Sequence, residues 1–174
     1  MDDHIILVDQ NDRQIGTVEK LEAHRRGLLH RAFSIFLFSG DGHCLVQRRA
    51  PGKYHSGGLL SNACCGHPRP GEDMGEATIR RLEEELGITC ALEKVLETSY
   101  DLDVGNGLRE VEYNHTYMGH LEKNLALRAN PDEWTECRWR GISDIEKNIA
   151  ARPGGYSAWF VMLFPMVIAH CSDP

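Results

Sequence analysis

Apolar and polar positions alternate along the chain in short runs, and these runs predict most of its elements. Residues 5–8 and 15–18 are apolar-rich segments flanking the polar stretch 9–14, the pattern of a hairpin. Residues 19–26 read as a short helical or irregular segment. Residues 33–38 and 44–49 are strand-like, and Ser39-Gly40-Asp41-Gly42 between them predicts a tight hairpin. A glycine-containing loop over 51–58 leads into a short strand over 59–64. Residues 95–104 and 108–121 bracket Gly105-Asn106-Gly107, a further hairpin. Pro131 opens a segment that leads to a strand near 136–140. Ser143-Asp144-Ile145-Glu146 then has the spacing of a capping box, starting a helix that runs to about Ala151. Residues 157–170 form an apolar helix expected to pack on the sheet.

The densest information lies between Ser61 and Ile88. Its first half is an apolar-to-small run entering the turn Cys64-Cys65-Gly66-His67-Pro68, and its second half is a carboxylate-rich helix. Asp73 stands three residues before Glu76, again a capping-box spacing, and Gly87 sits where a left-handed C-terminal residue is wanted. Ala77, Ile79, Leu82 and Leu86 recur at roughly helical intervals and are expected to form the core-facing stripe. Arg81 and Glu85, four apart, share a face. Many short strands with a few helices make the fold class α+β, a mixed β-sheet sandwiched between α-helices, in a single domain over residues 1–174.

Composition narrows the function classes. A length of 174 residues is enough to bury a substantial core. The formal net charge of −7 argues against nucleic acid as a partner. It leaves room for a small anion, because Arg48-Arg49 and Arg80-Arg81 are local cationic clusters. The start Met1-Asp2-Asp3-His4 lacks the basic-then-apolar pattern of a signal peptide. The longest apolar run, over 158–169, is too short to span a bilayer and contains Pro165. Six cysteines without regular spacing read as reduced thiols in a cytoplasmic protein. Of these, Cys44, Cys64, Cys90, Cys137 and Cys171 are taken as packing residues.

Candidate chemistry comes from carboxylates, imidazoles and one thiol. Glu110 and Glu112 lie two apart in a strand-like run, so both point to one face, where they repel unless a cation or a proton lies between them. On an exposed face such a pair would mean little. His24, His30 and His67 add imidazoles, and imidazole with carboxylate suits zinc, manganese or iron. His24 and His30 have no metal spacing that stands alone, and each taken singly is more often a surface or packed histidine. Cys65 reads alternatively as a packed thiol, and Tyr100 and Trp159 as core aromatics. His4, His43, His55, His115, His120 and His170 receive no role.

Gly66, five residues, Glu72, seven residues, then Arg80-Arg81-Leu82-Glu83-Glu84-Glu85-Leu86-Gly87-Ile88 resembles the Nudix box. One fixed position departs: Arg81 stands where the box has its first helix glutamate, which in Nudix hydrolases helps bind the metals that activate water. With Cys-Gly-His-Pro entering the box, the chain resembles type I isopentenyl diphosphate isomerases, from Lys20 to about Val161. The resemblance implies one tightly bound divalent metal, Mn2+ or Zn2+, held by His24, His30, His67, Glu110 and Glu112. It also implies a Mg2+ that accompanies the diphosphate and is bound by Glu85 and the Cys65 carbonyl. Cys65 matches the catalytic cysteine, and Tyr100 falls at a catalytic tyrosine. Lys20, Arg49, Lys53 and Arg81 fall at diphosphate contacts, and Trp159 at an aromatic near the reacting carbon. Leu60, where some members have tryptophan, and the loop residues 51–55 depart from the usual composition.

The implied reaction moves a double bond by one carbon, adding a proton at one carbon and removing another two carbons away, through a state resembling a tertiary carbocation. An alkene is a poor base, so the acid must be held close in a dry site. Cys65 and Glu112 are the expected pair of proton carriers: Glu112, near Tyr100, as donor, and Cys65 as acceptor with a lowered thiol pKa. The Trp159 face would stabilise the cation. The implied partner is a small isoprenoid diphosphate, with no nucleic acid or membrane, and the chain is expected to be a monomer or weak homodimer. Two alternatives stay open: a Nudix hydrolase of a nucleoside diphosphate derivative, and a non-catalytic metal- or nucleotide-binding module.

Overall fold

The computed structural model describes residues 3–128 and 130–172. In chain order the elements are β1 (His4–Val8), β2 (Gln14–Glu19), α1 (Lys20–Arg26), β3 (His30–Phe38), β4 (His43–Arg49), β5 (Leu60–Ser61), β6 (Cys64–Gly66) and α2 (Met74–Leu86). After them come β7 (Leu92–Gly105), β8 (Leu108–His120), β9 (Trp134–Gly141), α3 (Ile142–Ala151), a 3-10 turn (Pro153–Gly155) and α4 (Ala158–Ser172). The sheet is mixed. β3 runs parallel to β8 from His30↔Glu112 to Phe38↔His120, while the other named pairings are antiparallel.

β3 is buried at every position but Arg31, which explains why it reads as a continuous apolar run. Its residues alternate between two cores. Phe36 and Phe38 face one core with Tyr100, Trp159, Phe160, Leu163 and Phe164, so α4 covers that side. Phe33, Ile35 and Leu37 face the other with Ala77, Leu82 and Leu86, so α2 covers the opposite side. Helices thus lie on both faces of a mixed sheet. Cys64 enters the second core while Cys65 packs against the first, the opposite orientations expected of strand neighbours. Cys44 is likewise buried, but Cys171 is exposed, with Sγ 3.2 Å from Met118 Sδ, and is not a packing residue.

The expected hairpin over 39–42 forms only at its tip. Gly42 N–H donates to the Ser39 carbonyl (3.2 Å), but the flanking strands share the single pair Phe38↔Cys44. The edge of β3 that β4 would need is taken by β6 over Phe33–Ile35, and β8 fills the other edge. β4 therefore diverges and pairs with β9 from His43↔Gly141 to Arg49↔Trp134. The single strand expected over 59–64 splits for a related reason, because β5 pairs with β4 and β6 with β3. Asn62 sits at the break, fully buried, and its amide donates to the carbonyls of Ile35 (3.1 Å) and Cys64 (2.7 Å).

Helix ends follow the sequence in α2 but not in α3. The Asp73 carboxylate accepts from Gly75 N–H (2.7 Å), and Gly87 closes the helix at φ 69°. The expected capping box at Ser143 does not form. α3 begins at Ile142 with Gly141 as its cap and no side-chain cap bond. β9 runs directly into it, and Ile142 N–H is tied to the Gly42 carbonyl (3.2 Å), so the helix starts before Ser143 can cap it. α4 continues through Pro165, and no helix among the described residues is long and apolar enough to cross a membrane.

The core-facing stripe of α2 also needs correction. Ile79 is 47% exposed, and its expected place is taken by Thr78, which is buried and donates its hydroxyl to the Gly75 carbonyl (2.8 Å). Leu82, fully buried, should therefore cost about 2–5 kcal/mol when changed to Ala. Ile79→Ala should stay within about 0.5 kcal/mol of the parent. Urea unfolding midpoints of the two variants check this assignment of faces.

Candidate active site

α1 and the start of β3 place two histidines side by side. Glu19 caps α1 through Leu21 N–H (2.9 Å) and Glu22 N–H (2.8 Å), and Gly27 ends it at φ 61°. His24, in the last turn, is fully buried. Its Nδ1–H donates to the Lys20 carbonyl (2.6 Å), one turn back. His30 does the same with the Leu28 carbonyl (2.8 Å). Because carbonyls only accept, both rings carry a proton on Nδ1. His30 keeps a lone pair on Nε2, whereas His24 Nε2 faces Glu110 Oε2, which also only accepts, and carries a second proton.

β8 supplies the carboxylates. Glu110, Glu112 and Asn114 follow the two-residue period onto the same face as His30, Ser34 and Phe36 of β3. Glu110 Oε2 lies 3.2 Å from His24 Nε2. His67, in the turn after β6, brings Nε2 to 3.5 Å from Glu112 Oε1, and His30 Nε2 stands 3.9 Å from the same oxygen. One potential ligand atom each from His24, His30, His67 and Glu110 lies within 4.8 Å of the others, a group that could hold a metal ion. Glu112 borders this group. Its other oxygen accepts from the Tyr100 hydroxyl and from Asn114 Nδ2–H (3.0 Å).

Burial sets the protonation of these groups. It lowers His30 to about 4 and holds His67 well below the usual imidazole range, so both rings are neutral. His24 is raised despite its burial, because Glu110 bonds to it and carries charge. Glu112 is pushed well above the carboxylate range by burial and by the charge of Glu110. Glu110, although burial opposes its ionisation, is held low by His24 and His55.

Cys65 faces the same cavity. Its Sγ lies 3.1 Å from Asn62 Nδ2 and 3.7 Å from Ser34 Oγ. Burial pushes the thiol up to about 12, contrary to the expected lowering, so Cys65 is a thiol rather than a thiolate. Ser34 Oγ accepts from Asn114 Nδ2–H (3.1 Å), and Asn114 also bonds Glu112, so a short polar path joins Cys65 to Glu112. Trp159, at the start of α4, donates its indole N–H to Asn62 Oδ1 (3.1 Å).

The cavity these residues line has a volume of about 520 Å3, within the range of small-molecule sites. Lys20, Arg49, Lys53 and Arg81 also line it. Arg81 pairs with Glu84 (2.8 Å), Glu85 and Glu133 (3.2 Å), and Lys53 with Glu133 (2.6 Å). Lys20 pairs with Asp3 (2.8 Å). Arg49, nearly buried, lies 5.1 Å from the Trp159 ring centre and donates to the His55 carbonyl (3.3 Å). Glu85 is buried against Arg81 and Gln47 and, like Cys65, is not part of the histidine group.

Four residues of this site had no role in the sequence reading. His55, in the 50–58 loop, donates from Nε2 to Glu110 Oε1 (2.7 Å). Asn62 and Glu133 join segments distant in sequence, and no local pattern marks them. Asn114 was within reach, since it extends the spacing of Glu110 and Glu112 by one more step.

The NUDIX domain model matches residues 28–160. A protein of Aromatoleum aromaticum named isopentenyl-diphosphate Delta-isomerase 2 is 43% identical over 169 residues, covering 97% of this chain and 88% of the relative. A Burkholderia multivorans protein named isopentenyl-diphosphate Delta-isomerase is 45% identical over 162 residues, covering 92% and 90%. Among solved structures, DR0079 from Deinococcus radiodurans superposes with a TM-score of 0.76 at 18% identity, covering 94% of this chain and 98% of that one. The MutT protein from Methanosarcina mazei gives 0.66 at 17% identity, covering 83% and 96%, and these two likenesses show the fold. By its domain match and by identity above 40% over most of its length, the chain belongs to the NUDIX-domain proteins and, among them, to the isopentenyl-diphosphate Delta-isomerase family.

Proposed function

We propose that this protein interconverts isopentenyl diphosphate and dimethylallyl diphosphate, the activity for which its relatives are named. The observation that carries this reading is the meeting of a thiol, Cys65, and a carboxylate, Glu112, on one cavity that is also lined by His67, Lys20, Arg49, Lys53 and Arg81. The two proton carriers share the chemistry. One adds a proton to the terminal alkene carbon, and the other removes one two carbons away, so the double bond shifts with no net gain or loss of protons. Because the reaction is reversible, the carrier that donates in one direction accepts in the other. A thiol that keeps its proton is fitted to donate, the reverse of the acceptor role expected of Cys65. Glu112 would then accept in its ionised form, which a divalent ion beside it would favour. The Tyr100 hydroxyl and Asn114 hold Glu112 in place for its part.

The donor set fits a divalent ion. His30 Nε2 and His67 Nε2 are buried with no hydrogen-bond partner among the described residues, and His24 Nε2, now bonded to Glu110 Oε2, would give up its second proton to an ion. Nitrogen and carboxylate together suit Mn2+ or Zn2+, held by His24, His30, His67, Glu110 and Glu112. When bound, this ion supplies positive charge beside Glu112, while Mg2+ arriving with the diphosphate and met by Glu85 and the Cys65 carbonyl offsets phosphate charge. Lys20, Arg49, Lys53 and Arg81 grip the diphosphate, arginine through paired hydrogen bonds, and this remote binding holds the hydrocarbon end against Trp159. The indole face stabilises developing positive charge, and a nearly buried Trp159 and Tyr100 keep water from trapping it. The hydrolase alternative is opposed by Arg81, whose guanidinium fills the space among Glu84, Glu85 and Glu133. A cytoplasmic location fits the unpaired cysteines, and a monomer or weak homodimer belongs to the same reading.

Incubating the protein with isopentenyl diphosphate and Mg2+ should give the allylic isomer; released phosphate would instead indicate hydrolysis and overturn the reading. Cys65→Ala should lower turnover by roughly 10²- to 10⁴-fold, the span for one positioned proton carrier, while metal content stays near that of the parent. Unchanged turnover would remove Cys65 from the reaction. Glu112→Gln should lose both metal and turnover, measured by metal analysis beside the isomerisation assay.

A further inference from the structure

His55 lies inside the site although nothing in its sequence surroundings marks it. Its side chain is 2% exposed, and its Nε2 stands 2.7 Å from Glu110 Oε1. The other oxygen of that carboxylate, Oε2, is the one facing His24. The two imidazoles flanking Glu110 are therefore not equivalent. In the metal-free chain His24 gives Nδ1–H to the Lys20 carbonyl and Nε2–H to Oε2, and this second proton would leave when an ion binds, freeing Nε2 and Oε2 together. His55 Nδ1 lies 3.2 Å from the Ser56 hydroxyl, and if that hydroxyl donates, the ring proton sits on Nε2 and is given to Oε1. One oxygen is thereby tied down, and the other is left to serve as a ligand.

The loop is built to hold this arrangement. Ser56 adopts φ 52°, a left-handed conformation that a residue other than glycine keeps only where its surroundings enforce it. The loop is closed by Lys53 N–H on the Ala50 carbonyl (3.2 Å) and Gly58 N–H on the Arg49 carbonyl (3.0 Å). At Gly57 a Cβ would meet the Pro51 carbonyl oxygen at 2.6 Å, so the turn admits no side chain there. The His55 ring also stands edge-on to Trp159, with centres 5.6 Å apart.

We propose that His55 is a positioning residue for the metal centre: its Nε2–H fixes Glu110 so that Oε2 is offered alongside His24, His30 and His67, and the Ser56 hydroxyl fixes the tautomer that His55 needs. This rests on the reading of the histidine group as a metal site. A hydrogen-bond partner behind a ligand orients it and raises its affinity, and losing such a partner typically weakens metal binding 10- to 100-fold.

The test titrates the chelator-stripped full chain with Mn2+ alone, without substrate, against a competing chromophoric chelator. His55→Phe should weaken Mn2+ binding about 100-fold, and His55→Gln, whose amide N–H can reach Glu110, should recover part of that loss. Ser56→Gly removes the hydroxyl but accepts the left-handed backbone. It should weaken binding about 10-fold while the thermal midpoint of the metal-free chain holds or rises. Opposite movements of affinity and stability support positioning, and they decide the matter if His55→Phe does not fold. Parent-like affinity in His55→Gln and Ser56→Gly overturns the proposal, as does an affinity in Ser56→Gly that falls only in step with stability. Should the parent bind no Mn2+, and His24→Ala and His67→Ala change nothing, the metal reading itself fails, and the inference falls with it.

Discussion

The parallel pairing of β3 with β8 is the constraint on which the site depends. It sets His30 against Glu112 and Ser34 against Thr116, and β6 places Cys65 against Ser34 from the other edge. Every functional side chain drawn from these three strands therefore rises from one face. A slip of one residue in β8 would turn Glu110, Glu112 and Asn114 toward the core under α2. The apolar contents of that core, Phe33, Ile35 and Leu37 against Leu82 and Leu86, are what make the slip costly. Hydrophobic packing on one side of the sheet thus fixes the chemistry on the other.

Within that frame most of the charges lining the cavity are paired. His30 and His67 are neutral, Glu112 and Cys65 hold protons, and the ionised Glu110 faces His24 and His55. Both lysines lining the cavity are already paired: Lys20 with Asp3, and Lys53 with Glu133, which also takes Arg81. Arg49 is bonded to a carbonyl and lies near an indole ring, and its Nε has no hydrogen-bond partner among the described residues.

Local features were legible in the sequence because local forces produce them. The left-handed end of α2 at Gly87, the turn at 105–107, the shared face of Glu110 and Glu112, and the opposed directions of Cys64 and Cys65 all follow from backbone geometry within a few residues. The divergence of β3 and β4 was not legible, because it depends on which strand reaches an edge first, and β6 and β8 come from elsewhere in the chain. α3 starts early for the same kind of reason, a bond to a distant turn. Ile79 was misplaced because an apolar residue one position off a helical stripe looks much like one on it. The Cys65 thiol was expected to be acidic from its neighbours, but burial outweighs them. His55 and Glu133 escaped because each acts through a partner more than fifty positions away, Glu110 for the one and Lys53 and Arg81 for the other.

Asn62 has a wider consequence than its single side chain suggests. Its amide nitrogen spans the gap between two short strands and reaches the Cys65 sulfur, while its oxygen takes the Trp159 indole proton. One planar group thus couples the seam of the sheet, the reactive sulfur and the first turn of the C-terminal helix. None of the three can shift without pulling on the other two, so drift that altered how α4 seats would be felt first as a misplaced thiol.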